Sequence, residues 1–444
     1  MKSAYRLILR AGIVLALALL LAHAGLSIAS RVALRNAYAA LRDAGLPMDA
    51  KNLIPPEVPI DDNASPLYES AIALMESEEW DGTILLTAAY RISSDFMAPA
   101  SASPADMDML LENDVVRRAL ALAERAADRP QCRFDLQYDM GLDLSLAHQH
   151  KLLMLTHLLA ARAVHEARQD NGDDALRTLH SALQTSHALR TEPFVYSSVF
   201  RNQQVAVSLR ALQEILTRTT VTDDTLADLS TLLPSPEDIR DHFLLALNGD
   251  RLLFKENGWI KIGSDSFPPD LHWRDRFIFA FFAFPSVLRA NHAIYLREMD
   301  RITRETARPY WEHPAPAANV FDPKSSGLSW CSLLALVATD IVPPHRKTMA
   351  TAQANVQVAR AALALLRHKL AHGAYPASLA EIDPAFLPEV PLDPFTGNPL
   401  VYRPDGDGFL LYSLGENLAD DGGTEKSQDN SKSKAFDIVW HLPR

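Results

Sequence analysis

Ala11 to Ala29 is an uninterrupted apolar run, and no other feature limits the fold of this chain as strongly. At about 19 residues it is long enough to cross a hydrocarbon core as a helix. Its polar members, His23 and Ser27, sit toward its far end. Lys2, Arg6 and Arg10 precede it, so the positive-inside rule keeps the N-terminus cytoplasmic and sends the remainder across. Arg31 and Arg35 on the far side reduce that asymmetry without reversing it. Ala22-His23-Ala24 is also an acceptable cleavage site, which makes a removed signal peptide the alternative. Continuation of the run to Ala29 exceeds a usual signal core and favours an uncleaved anchor. The expectation is a single-pass protein of the inner (cytoplasmic) membrane with its bulk extracytoplasmic or periplasmic.

A chain that is 48% hydrophobic and 22% charged can bury sizeable cores. Its formal charge of −12 disfavours nucleic acid as a partner, since phosphate binding needs a basic surface. Seventeen glycines against 28 prolines argue against glycine-rich nucleotide folds. Two cysteines, Cys132 and Cys331, exclude a disulfide-dense scaffold and a four-cysteine zinc module, and leave open whether the two pair.

Beyond the anchor the periodicity is helical. Arg31 to Ala44 reads as helix and stops at Gly45-Leu46-Pro47; Pro55 to Pro66 has neither period and reads as a linker or wrapping segment. Leu67 to Glu79 is again helical. After a break at Pro99 to Pro104, Ala105 to Ala127 reads as one strong helix. Ser145 to Arg190 reads as a helical hairpin turned at Asn171 to Asp174, with Gly172 as the left-handed cap and Asp173 as the next N-cap. It resembles a tetratricopeptide-type unit, but no second copy follows at a fixed period near about 34 residues, so a repeat array is not expected. Helices follow over Val195 to Thr217 and Thr222 to Leu233, and Pro234-Ser235-Pro236-Glu237 begins another that runs to about Lys255. Phe277 to Phe284 is the most aromatic stretch; it reads as a buried core helix, with a membrane-surface or partner-docking patch as the alternative. Leu328 to Ile341, containing Cys331, reads as a short apolar helix, and His345 to His372 as a long one ended by Gly373.

The last part of the chain has a different grammar. Gly373-Ala374-Tyr375-Pro376 is followed by Asp393-Pro394-Phe395, Gly397-Asn398-Pro399, a strand-like Leu400-Val401-Tyr402 and a hairpin signal at Asp405 to Gly408. Phe409 to Tyr412, Ser413-Leu414-Gly415, Asp420-Asp421 and Asp437 to Trp440 close it. This order resembles the C-terminal module of the major pseudopilin of type II secretion, over His345 to Arg444. The resemblance implies a helix followed by a short antiparallel β-meander and an acidic loop. It also implies calcium held by the Leu414 carbonyl, the Asn417 side chain and Asp437, with Asp420 and Asp421 as spare oxygens. Asn417 stands where that family has a carboxylate, and the insert Thr424 to Lys434 adds lysines; a plain solvated acidic loop is the alternative. Pseudopilins carry a glutamate near the start of their membrane helix, and Gly12 to Leu17 here has none. The remainder resembles large uncharacterised membrane-anchored helical families of bacteria, a likeness that supplies no activity.

Catalytic chemistry is not legible. There is no Gly-x-Ser-x-Gly, His-Glu-x-x-His or phosphate loop, so no catalytic or cofactor-binding residue is assigned. His148, His150, His157 and His165 recur along one helix, with His180 and His187 on the next. Neighbours two turns apart lie about 10.5 Å from each other and cannot share a metal within the helix, so satisfied surface or groove histidines are expected. The carboxylate pairs Asp61-Asp62 and Asp223-Asp224 read as solvated or N-capping groups.

The fold class expected is mainly α: a membrane anchor over 1–30, a helix and Pro-rich linker over 31–66, a helical domain with hairpins over 67–344, and a long helix plus β module over 345–444. The function expected is a membrane-anchored extracytoplasmic structural or interaction protein without a catalytic site, its protein partners unidentified. An auxiliary component related to type II secretion or pilus machinery is the first alternative, and an enzyme with its site in the helical domain the second.

Overall fold

The computed structural model describes residues 2–76, 104–138, 140, 144–253, 285–312, 342–424 and 437–442. The aromatic stretch Phe277 to Phe284, the helix expected over Leu328 to Ile341 with Cys331, the break at Pro99 to Pro104 before its last residue, and nearly all of the Thr424 to Lys434 insert lie outside them. The chain is mainly helical and ends in a small antiparallel sheet.

Helix α1 (Lys2–Asp43) is 42 residues long, about 63 Å at the usual helical rise. Its most apolar 18-residue window has a mean hydropathy of 2.2 and none of it is buried in the protein. That makes it a helix long and apolar enough to cross a membrane. From Leu26 onward one face turns inward: Leu26 packs on Val287 and Ala290, Ser30 is fully buried, and Ala37 and Leu41 join the main core. The helix stops where expected: Gly45 takes φ 70°, and the Leu46 N–H donates to the Leu41 carbonyl at 3.0 Å, a left-handed cap.

The segment Pro55 to Ser65 wraps rather than links. Asn63 clasps Arg133 twice: its Nδ2 donates to the Arg133 carbonyl (3.0 Å) and its Oδ1 accepts the Arg133 N–H (2.9 Å). The Ala64 N–H donates to the Gln131 carbonyl at 2.8 Å beside it. Helix α2 (Ser65–Met75) then buries Tyr68, Ala71, Ile72 and Met75.

The single helix expected over Ala105 to Ala127 is two, α3 (Pro104–Glu112) and α4 (Asp114–Ala127). The Asn113 side chain accepts from the Val115 and Val116 N–H groups and starts a new helix. Its capping bonds replace backbone partners that a continuous helix would supply, so the apolar period survives while the axis breaks. The hairpin α5 (Ala147–Arg168) and α6 (Gly172–His187) forms as expected, but the cap is displaced. Asp170, not Gly172, is left-handed (φ 61°), and the Asn171 N–H closes onto the Glu166 carbonyl at 3.0 Å. Gly172 opens α6 instead, where a Cβ would stand 2.1 Å from the Thr219 methyl.

Helices α7 (Val195–Leu216), α8 (Asp223–Leu232), α9 (Pro236–Leu253), α10 (Pro285–Thr306) and α11 (Val342–His372) complete the body. Helix α9 crosses the turn after α6 so closely that a Cβ on Gly249 would meet the Pro193 carbonyl oxygen at 1.7 Å. Gly249→Ala should therefore force two backbones apart and cost on the order of 3 kcal/mol. An unchanged melting temperature would show that the crossing yields instead.

Two cores share helix α5. One holds α2, α3, α4 and Leu152, Leu155 and Leu159 of α5. The other runs from Ala37 and Leu41 of α1 through α6 to α11 and into the sheet at Phe409, Leu411, Trp440 and Leu442. Helix α11 is buried almost all round between Met349 and Leu365, and its alanines let α7, α8, α9 and the sheet approach it closely. The sheet is an antiparallel meander β1 (Val401–Asp405), β2 (Gly408–Ser413), β3 (Ile438–Leu442), with Asp405 opposite Gly408 across a tight turn in which Gly406 has φ 59°. The core crosses residue 344 without interruption, so the β module is packed into the helical body rather than appended to it.

Candidate functional site

The start of α7 breaks the usual helical rule. Ser197, Ser198, Arg201, Asn202, Gln204 and Ser208 are buried because α5, α6, α9 and α11 surround the helix. Glu192, just before it and 3% exposed, accepts from His148 Nε2 (2.7 Å), Gln149 Nε2 (2.9 Å) and Ser197 Oγ (2.7 Å). Arg201, 1% exposed, pairs with Asp238, whose other oxygen meets Arg190 Nε at 3.2 Å. His242 Nε2 donates to the Glu192 carbonyl at 3.1 Å and joins the two clusters. Burial pushes the Asp238 carboxyl up, but Arg201 and Arg190 outweigh it and hold the group below the ordinary carboxylate range. His148 and Ser197 meet the same carboxylate rather than each other, so Glu192 clamps α5 to α7 and no hydroxyl here is activated by an imidazole. Gln149 Oε1, Ser198 Oγ, both amide atoms of Gln204 and His242 Nδ1 are buried without partners.

Four buried histidines should make the body acid-sensitive. Burial drives His157, His187 and His292 down to about 4 and His242 to about 3, in each case as the largest cause. Below pH 6.5 an unfolded chain takes up protons that the folded chain refuses, so stability falls as pH falls from about 6.5 toward 4. Asp250 acts oppositely: burial raises it to about 7, so its contribution favours the fold at low pH and is lost as pH rises toward 7. Four imidazoles outweigh one carboxyl. The melting temperature should drop from pH 7 to pH 4.5, and His242→Gln should flatten that drop; an equally steep profile would remove His242 from the account.

A pocket of about 340 Å³ lies beside this network, between the wrapping segment and the C-terminal end of α6. Pro55 and Val58 form one side, Tyr68, Cys132 and Ala188 the floor, and Arg129, Arg133, Arg190 and His187 the polar lining. Cys132 is half-buried and its thiol is pushed up, first by burial and then by Glu192 and Glu69, which disfavours the thiolate. A larger open groove of about 790 Å³ runs past α4, α6 and α8, with Glu124, Asp128, Asp173, Asp174 and Asp228 along it.

In the β module one carboxylate organises the motif order. Asp393, 2% exposed, accepts from the Phe395 N–H (2.9 Å) and Ser413 Oγ (2.9 Å) on one oxygen and from the Leu414 N–H (2.9 Å) on the other. The Asp-Pro turn is thereby tied to the end of β2. Gly397, at φ 72°, lies against Trp311. The residues expected to hold calcium sit on the loop that follows. Leu414 precedes a short 3-10 turn over Gly415–Asn417. Asn417 Nδ2 donates to Asp421 Oδ2 at 2.8 Å, and its Oδ1 accepts the Ala419 N–H. Asp437 Oδ2 accepts the Gly423 (2.8 Å) and Thr424 (3.2 Å) N–H groups, while its Oδ1 is buried without a partner. Burial leaves the Asp437 carboxyl above its ordinary value despite those donors. Asp420 accepts from Tyr412 Oη and the Gly422 N–H. Among the described residues no three His, Cys, Asp or Glu side chains converge as a metal site.

The histidine stripe is dispersed. His148 binds Glu192, His150 is exposed against Phe200, and His165 meets Asp108 at 3.1 Å. Sequence reasoning missed Arg129, Arg133, Glu192, Arg201 and Asp238; the available signal was a polar start to an otherwise apolar helix at Ser197 to Gln204. Set against protein families, curated proteins and solved structures, the chain matches none of them.

Proposed function

We propose that this chain is a single-pass membrane protein of the inner membrane whose helical body stands on the extracytoplasmic side as a structural or interaction scaffold. One observation carries the reading. A single unbroken helix exposes Ile13, Leu17, Leu20 and Leu21 at one end and builds Ala37 and Leu41 into the main core at the other. An exposed apolar stretch of that size needs a cover, and Arg10 to Gly25 alone spans about 24 Å at the helical rise. Lys2, Arg6 and Arg10 on its leading side give the orientation. Because the helix enters the body without a hinge, the body is held close to the bilayer. Alkaline extraction should leave the chain in the membrane pellet, and protease added outside intact spheroplasts should digest the body. Recovery of full-length chain from the soluble cytosol would overturn the reading.

A second reading, an auxiliary component related to type II secretion or pilus machinery, is favoured by the Asp393 tie between the Asp-Pro turn and Ser413-Leu414. On this reading Leu414, Asn417 and Asp437 take calcium, with the free Asp437 oxygen as a ligand. Calcium should raise the melting temperature by several degrees and a chelator should reverse it; coincident curves would remove these three residues as a site.

A further inference from the structure

We propose that the pocket beneath the wrapping segment binds a small oxyanion, a carboxylate or phosphate carried on a compact apolar group. The inference does not depend on where the membrane lies. Three arginines, Arg129, Arg133 and Arg190, line the cavity, and no aspartate or glutamate does, in a chain of net charge −12. Arg129 and Arg133 form no ion pair with any of the described residues. The Arg133 guanidinium gives its Nε to the Pro55 carbonyl at 3.0 Å, which fixes the plane of the group while its two terminal nitrogens keep their donors. Arg190 meets Asp238 through its own Nε at 3.2 Å, so its outer edge is likewise available. Guanidinium groups held in this way suit the paired oxygens of a carboxylate or phosphate better than a point charge would.

The rest of the cavity sets the size and character of the ligand. A volume of about 340 Å³ admits a small molecule but no polymer, and it falls at the lower end of ligand pockets. Tyr68, Cys132, Ala188 and Val58 provide apolar walls. His187 is driven by burial to about 4, so near neutral pH it adds no charge to the lining. A metal cation is disfavoured by the absence of any acidic side chain in the lining. The pocket is also pre-formed: the double clasp of Asn63 on Arg133, with the Ala64 and Gln131 backbone bonds beside it, holds the wrapping segment in place before any ligand arrives.

The test is calorimetric titration of the full chain in a neutral detergent with phenyl phosphate, benzoate and benzyl alcohol. At least one anion should bind at up to millimolar concentrations, more weakly at high salt, while the isosteric alcohol should not; the tighter anion identifies which oxyanion the pocket prefers. Arg129→Gln should weaken that anion about tenfold, with the ligand-free melting temperature unchanged. Val58→Trp, which fills the cavity and leaves every charge in place, should abolish binding and serves as the second variant should Arg129→Gln disturb the fold. Absence of heat with both anions, equal binding of benzyl alcohol, or wild-type affinity in both variants would overturn the proposal.

Discussion

Asp393→Ala should destabilise the β module by about 4 kcal/mol, the largest single-residue effect expected outside α1. The carboxylate accepts three hydrogen bonds, from the Phe395 and Leu414 N–H groups and from Ser413 Oγ. Asp393 is 2% exposed and Ser413 0%, so water cannot replace what is removed. Each lost bond to a charged group is worth about 1.5–3 kcal/mol, part of which relaxation recovers. Asp393→Asn should cost less but not nothing: one oxygen remains for Phe395 and Ser413, while the new amide faces the Leu414 N–H donor with donors of its own. Trp440, buried on β3 beside β2, reports the loss through its fluorescence in urea. A shared unfolding midpoint for wild type and Asp393→Ala would show that the turn and the strand end are tied by other means.

The second large effect concerns the membrane. Leu17→Arg with Leu20→Arg places two charges near the middle of the exposed apolar stretch, each costing about 2.5–3.5 kcal/mol on the insertion scale. Together these exceed what a span of this length can tolerate, and the chain should leave the alkaline-resistant membrane pellet. Ile60→Arg is the control, since Ile60 is 76% exposed and lies outside the run. It should leave partitioning unchanged. Retention of the double-arginine chain in the pellet would move the anchor elsewhere and would detach the localisation from α1.

These two effects bear on one packed core, and that has a structural consequence. Helix α1 reaches the main core through Ala37 and Leu41, and the sheet reaches the same core through Phe409 and Trp440. Damage to the Asp393 tie therefore loosens one wall of the core that also seats α1. The arginine-lined pocket lies by the other core, with Tyr68 and Ala188 shared between lining and interior. Its ligand should stabilise α2, the wrapping segment and the end of α6 together.

Local pattern alone determined a good deal of this protein. The apolar run, the glycine stop at Gly45, the α5–α6 hairpin, the boundaries of α7 to α9 and the β1–β2 turn all rest on neighbours within a few residues, where helical and strand periods and cap chemistry act. Even the local errors were local: Asn113 competed for backbone donors within one turn, and Asp170 took the left-handed position offered to Gly172. Tertiary structure decided the rest. Nothing adjacent to Arg201 announces Asp238, nothing near His148 announces Glu192, and the wrapping segment becomes a pocket wall only because Asn63 finds Arg133 seventy positions away. Helix α11 likewise reads as an ordinary alanine-rich helix until four other elements close around it. Such contacts join residues that no period relates, and their energy comes from burial and charge pairing that exist only once the chain has folded.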